Sequence, residues 1–154
     1  MGTPRQPHRL RRLPIIRANL DRYFVTLCTR NRQAVLANAR VNDRTREFVA
    51  GSPERYGMWV EAYMLMPDHA HMLITSSKDS AALGHWVKAF KAVVGAREFT
   101  WQTGYFDHVL RSDESAAEKW DYIHMNPVRA GLVKHPEDWP YSGVFHPHTG
   151  DQIL

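Results

Sequence analysis

Only Pro67 and Asp68 separate two stretches with the period of a strand, residues 58–66 and 69–75. A link that short favours an antiparallel hairpin over a crossover, and Pro67, which has no backbone donor, suits its turn. The second stretch opens with His69-Ala70-His71. Residues i and i+2 of a strand share a face, so the two imidazoles are expected side by side, the geometry that a metal ion needs. A metal centre needs at least a third ligand, and a catalytic one also needs something to polarise. Both must come from elsewhere in the chain.

The remaining periods set the order of elements. Residues 22–29 read as a buried strand, with Tyr23, Val25 and Leu27 on one face and Phe24, Thr26 and Cys28 on the other. Asn42-Asp43 precedes a polar helical pattern to about residue 55, which Gly51-Ser52-Pro53 should interrupt. A second helix is expected over residues 79–98, where Leu83, Trp86, Val87, Phe90, Val93 and Val94 recur at intervals of three and four. Lys88 and Lys91 fall on its solvated side. Residues 105–111 read as a fourth strand, and Ser112-Asp113-Glu114 caps a third helix running to about residue 125. The order β-α-β-β-α-β-α is an α+β pattern. It predicts a ferredoxin-like βαββαβ antiparallel sheet with an extra C-terminal helix.

That last helix supplies the partners. Tyr122 and Asn126 are four apart and share a face, and Pro127 ends or bends the helix behind them. If this face lies over the histidine strand, Asn126 can complete the ligand set and Tyr122 can hold its phenol near the metal. A phenol with a pKa near 10 is a poor nucleophile in neutral water, so the ion would act on the electrophile, neutralising charge on a phosphate oxygen. His124 points away from the Tyr122 face. Trp101, Trp120 and Trp139 could stack on bases, but their positions favour core packing.

Charge and cysteine content place the chain. Its 154 residues fit one domain, expected over residues 18–145, and the formal charge of +4 is uneven. Residues 1–17 carry Arg5, Arg9, Arg11, Arg12 and Arg17 and no acid, leaving 15 basic against 16 acidic residues elsewhere. The arm reads as a phosphate-seeking extension, and residues 146–154 as a tail. Cys28 is the only cysteine, and no apolar run has membrane-spanning length. A cytoplasmic, DNA-associated protein without a disulfide is expected.

Met66-Pro67-Asp68-His69-Ala70-His71 resembles the histidine-hydrophobe-histidine motif of single-tyrosine transposases. Trp101-Gln102-Thr103-Gly104-Tyr105-Phe106-Asp107-His108-Val109-Leu110-Arg111 and Tyr122-Ile123-His124-Met125-Asn126-Pro127-Val128-Arg129-Ala130-Gly131-Leu132-Val133 are similar to hallmark segments of the REP-associated tyrosine transposases. So is Asp138-Trp139-Pro140-Tyr141-Ser142, and the resemblance spans residues 20–143.

The resemblance implies a nuclease acting on single-stranded DNA at hairpin-forming repeats through a 5′-phosphotyrosine intermediate. It assigns Tyr122 as nucleophile and His69, His71 and Asn126 as ligands of Mg²⁺ or Mn²⁺. The hard ion suits an oxygen donor and open water positions. The basic arm and a subset of Asp107, His108 and Arg111 are expected near DNA, with His108 on the strand face opposite Asp107 and Arg111. Arg5, Arg9, Arg11, Arg12, His108 and Arg111 are the candidate DNA contacts. The first strand lacks the Gly-Thr-Trp-Tyr signature of many members, so the resemblance carries the chemistry and not the DNA target. A monomer or a homodimer fits the family, and a domesticated, non-cleaving DNA-binding regulator is the alternative function.

Overall fold

The structure, a computed structural model, describes residues 21–76, 80–110 and 113–145, the side chains of residues 80, 81, 113 and 114 excepted. The arm with Arg5, Arg9, Arg11 and Arg12, the tail over residues 146–154, and Arg111 and Ser112 lie outside the described residues.

The expected elements follow one another: β1 (Asp21–Cys28), α1 (Ala39–Tyr56), β2 (Met58–Leu65), β3 (His69–Ser76), α2 (Ser80–Gly95), β4 (Phe106–Leu110) and α3 (Asp113–His124). A one-turn helix, α4 (Asn126–Arg129), and a short strand, β5 (Ser142–Val144), come after them. The sheet order is β4-β1-β3-β2-β5 with every neighbouring pair antiparallel. The first four strands make the ferredoxin-like sheet, in which β3 lies between β1 and β2. No helix among the described residues is long and apolar enough to cross a membrane.

Strand alternation sends side chains into two cores. Tyr23, Val25, Leu27, Met72 and Ile74 meet Phe48 of α1 and Trp86 and Phe90 of α2. Phe24, Met64 and Leu73 meet Ala116, Trp120 and Ile123 of α3 on the opposite face. The histidines share the second face, because His69, His71 and Leu73 alternate with Ala70 and Met72. Thus α1 and α2 support the sheet from behind, and α3 lies on the face that carries the histidines.

The pairing of β2 with β3 shifts between Val60 and Ala62, a bulge at Glu61. The extra residue reverses the alternation, so Val60 and Tyr63 both face α1 and α2, while Ala62 and Met64 face α3. Glu61, only 3% exposed, accepts hydrogen bonds from Arg22 and Thr75. A buried carboxylate needs such partners.

Several local expectations are corrected. The first helix starts earlier, because the side chain of Asn38 accepts from Val41 N at 3.0 Å, and Asn42 instead turns inward to accept from Tyr63 Oη at 2.5 Å. Gly51-Ser52-Pro53 does not interrupt it. Ser52 donates to the Phe48 carbonyl and accepts from Trp86 Nε1, so tertiary anchoring outweighs the bond that Pro53 cannot make. The helix ends at Gly57, whose φ of 65° is left-handed. The second helix stops at Gly95, because Ala96 and Arg97 turn to φ of 47° and 60°, and Val93 is exposed rather than packed. Lys91 is not merely solvated, since it donates to the carbonyls of Gln102 and Gly104 and holds the turn before β4.

β5 closes the β2 edge, and Phe145 N donates to the Glu61 carbonyl at 2.9 Å. A Cβ on Gly143 would meet Tyr63 Cε1 at 2.9 Å and Phe145 Cζ at 3.1 Å. Gly143→Ala is expected to cost about 1–3 kcal/mol in chemical denaturation. An unchanged denaturation midpoint would show that β5 is not packed there.

Candidate active site

The two imidazoles lie together, with ring centroids 4.8 Å apart and planes at 79°. Each has its Nδ1 engaged by another residue. His69 Nδ1 is 2.7 Å from Asp68 Oδ1, and His71 Nδ1 is 3.0 Å from Thr26 Oγ1 on the neighbouring strand. Neither Nε2 has a hydrogen-bond partner among the described residues. Fixing one ring nitrogen and leaving the other open is how proteins orient histidines toward a metal.

The hairpin tip is held from the segment that follows β1. Thr29 N and Oγ1 both donate to the Asp68 carbonyl, Leu36 N donates to that of Pro67, and Arg32 Nε reaches Asp68 Oδ2 at 2.9 Å. Burial works to raise the Asp68 pKa, but its hydrogen bond to His69 and the charges of His69 and Arg32 outweigh this and hold it below the usual carboxylate value. Burial, reinforced by the charges of His69, Lys119 and Arg32, pushes the His71 pKa down to about 3. At neutral pH, His71 is therefore an uncharged imidazole with a lone pair to give.

The His71 shift has a stability consequence. An unfolded histidine titrates near 6.5, so between that pH and about 3 the unfolded chain binds more protons than the folded one. Stability must fall as pH falls through this window, and the depressed Asp68 acts in the same direction at its lower end. In metal-free buffer, the unfolding free energy should drop by about 2–3 kcal/mol between pH 7.5 and 4.5. His71→Gln should remove most of that drop, and an equal drop in the variant would refute the attribution.

On α3, Ala116, Trp120 and Ile123 are buried against the sheet. Ser115, Lys119 and Tyr122 form the next stripe, but α3 ends at His124, so Asn126, expected on the same helix as Tyr122, instead opens α4. Lys119 Nζ stands 5.5 Å from the Phe24 ring, itself 5.4 Å from the His71 ring. Lys119 thus flanks the histidines. Tyr122 is 65% exposed. Arg129 connects it to Asn126: the guanidinium lies 3.8 Å from the Tyr122 ring centroid and donates to Asn126 Oδ1.

The histidines form one group, and Tyr122, Asn126 and Arg129 another, on the same side of the sheet. No hydrogen bond or ring contact joins the two groups among the described residues. Among the described residues, no three His, Cys, Asp or Glu side chains gather as a metal cluster, so a third ligand would be an amide, phosphate or water oxygen. His108 is opposite Phe24 on β1 and lines an exposed hollow with Ser115, Glu118 and Lys119. Trp120 is buried, and Trp101 and Trp139 pack against the cores, as their positions favour. Asp68, Thr26, Lys119 and Arg129 escaped the sequence reading. Asp68 adjoins His69, and Arg129 falls at helical spacing from Asn126, so both were visible signals.

Residues 19–126 match the family described as "Transposase IS200 like". The REP-associated tyrosine transposase of Escherichia coli is 28% identical over 128 residues, covering 80% of this chain and 76% of its own length. A REP-associated tyrosine transposase solved bound to a REP hairpin shares 25% identity and a TM-score of 0.65, covering 79% of this chain and 75% of that one. With its ferredoxin-like sheet and a match over most of its length, the chain belongs to the IS200-like transposase family, and the relatives it resembles there are REP-associated tyrosine transposases.

Proposed function

We propose that this protein is a divalent-metal-dependent single-strand DNA nuclease and strand transferase that acts at hairpin-forming repeats, with Tyr122 as nucleophile. One observation carries the reading. Two strand histidines keep their Nε2 atoms open, with each Nδ1 held, on the sheet face overlain by the helix that exposes Tyr122. The donor set fits Mg²⁺ or Mn²⁺: two oriented imidazoles, an amide oxygen on Asn126 and room for phosphate or water. When bound, such an ion would neutralise charge on the scissile phosphate.

The protein's own residues would supply the rest. Tyr122 Oη loses its proton and bonds to phosphorus, the bond from phosphorus to O3′ breaks, and the departing O3′ takes up a proton. The 5′ end is left on Tyr122 as a phosphotyrosine. Attack by a 3′-hydroxyl on that phosphotyrosine restores the phosphodiester and frees the tyrosine. Lys119 and His108, which line one hollow beside the histidine face, would meet the backbone of the bound strand. The relative solved with a REP hairpin supports hairpin DNA as the substrate class.

The test is incubation with a hairpin oligonucleotide bearing a single-stranded flank, with Mg²⁺ or Mn²⁺, followed by denaturing electrophoresis. A covalent protein-DNA band is expected. Hairpin binding without that band under either metal would leave a DNA-binding regulator in place of the nuclease.

A further inference from the structure

Arg129 stands three residues after Asn126 and seven after Tyr122, and it touches both. Its planar cation covers the face of the phenol ring, and one N–H occupies the Asn126 oxygen. An amide oxygen held by one cation is a poor ligand for a second, because a lone pair is taken and the positive charges repel. The clasp is nevertheless on the surface, beside the exposed Tyr122 ring. A guanidinium pairs with an anionic phosphate, often by two parallel bonds, more strongly than with a neutral amide. A strand laid along the Lys119 and Tyr122 stripe brings such a phosphate within reach.

We propose that Arg129 is a positioning residue that holds Asn126 off the metal in the free protein and releases it when a DNA phosphate takes the guanidinium. Binding of DNA and of divalent metal then strengthen one another, and by linkage they do so by the same factor. The inference rests on the reading of Asn126 as a ligand. It adds a control that this reading lacks: the metal site is completed only on substrate. In the free protein the same guanidinium lies over one face of the Tyr122 ring, which is otherwise exposed, so its movement changes the surroundings of nucleophile and ligand together.

The test uses the full chain as Tyr122→Phe, which keeps the ring for the guanidinium and stops cleavage. Mn²⁺ binding is read from loss of the electron paramagnetic signal of free Mn²⁺, with and without the hairpin oligonucleotide, and the oligonucleotide alone is subtracted. DNA is expected to tighten Mn²⁺ binding about tenfold. Adding Arg129→Ala should tighten Mn²⁺ binding by the free protein about three- to tenfold and reduce the further gain from DNA to less than about twofold. Asn126→Ala should weaken Mn²⁺ binding with or without DNA. If Asn126→Ala weakens binding while Arg129→Ala changes neither quantity, the clasp is refuted and the ligand reading survives. If Asn126→Ala has no effect on Mn²⁺, both fall. Arg129 belongs to neither hydrophobic core, so its loss should leave the thermal unfolding midpoint in place.

Discussion

Tyr122→Phe is expected to bind hairpin DNA about as well as the unmodified protein and to form no covalent adduct with it, a loss of at least about a thousandfold. The substitution removes one oxygen from a side chain that is 65% exposed and leaves the ring on which Arg129 lies. Neither folding nor the approach of DNA should notice it. The chemistry should, because no other described hydroxyl shares its place on the exposed stripe of α3 after Lys119. Adduct yield by denaturing electrophoresis and affinity by fluorescence anisotropy separate the two effects. If the Tyr122→Phe variant still formed the adduct, the nucleophile would lie elsewhere. If it lost DNA binding as well, Tyr122 would be a contact residue and its role in bond breaking would be unsupported.

The second large effect is expected from His69→Ala/His71→Ala. Removing both open Nε2 atoms should abolish Mn²⁺ binding at this site and lower adduct formation by about a thousandfold or more, with hairpin affinity measured in metal-free buffer changed less than about threefold. The substitution has a structural cost too. Thr26 Oγ1 loses its partner on His71, worth about 1–2 kcal/mol, so stability must be measured alongside activity. Asp68→Ala sharpens the test, since it leaves both ligands and removes only the carboxylate that orients His69. It should weaken metal binding about 10–100-fold. If the double variant still cut DNA at the unmodified rate, the histidines would be structural residues of the hairpin. If it lost DNA binding, they would belong to the DNA interface.

The sequence by itself determined the order of elements, the hairpin and the face relations. Period two and period three to four are backbone geometry, and a two-residue link between strands leaves little choice of pairing. It also marked the site's separate halves: strand geometry relates His69 and His71, while Tyr122 and Asn126, expected on one helix, fall at the end of α3 and the start of α4. Tertiary structure decided what local rules cannot. Asn38 rather than Asn42 caps α1, because Asn42 is needed inside by Tyr63. Pro53 stays in the helix because Trp86 anchors Ser52. β5 has three residues and no periodic signal, and exists because the β2 edge offers unpaired backbone groups to it. The bulge at Glu61 reverses the faces of β2, which strict alternation would have assigned the other way. At the site, Thr26 reaches His71 from 45 residues away. Lys119 comes beside it only when α3 settles on the sheet. Such contacts join residues distant in the chain, and only packing of the two cores brings them together.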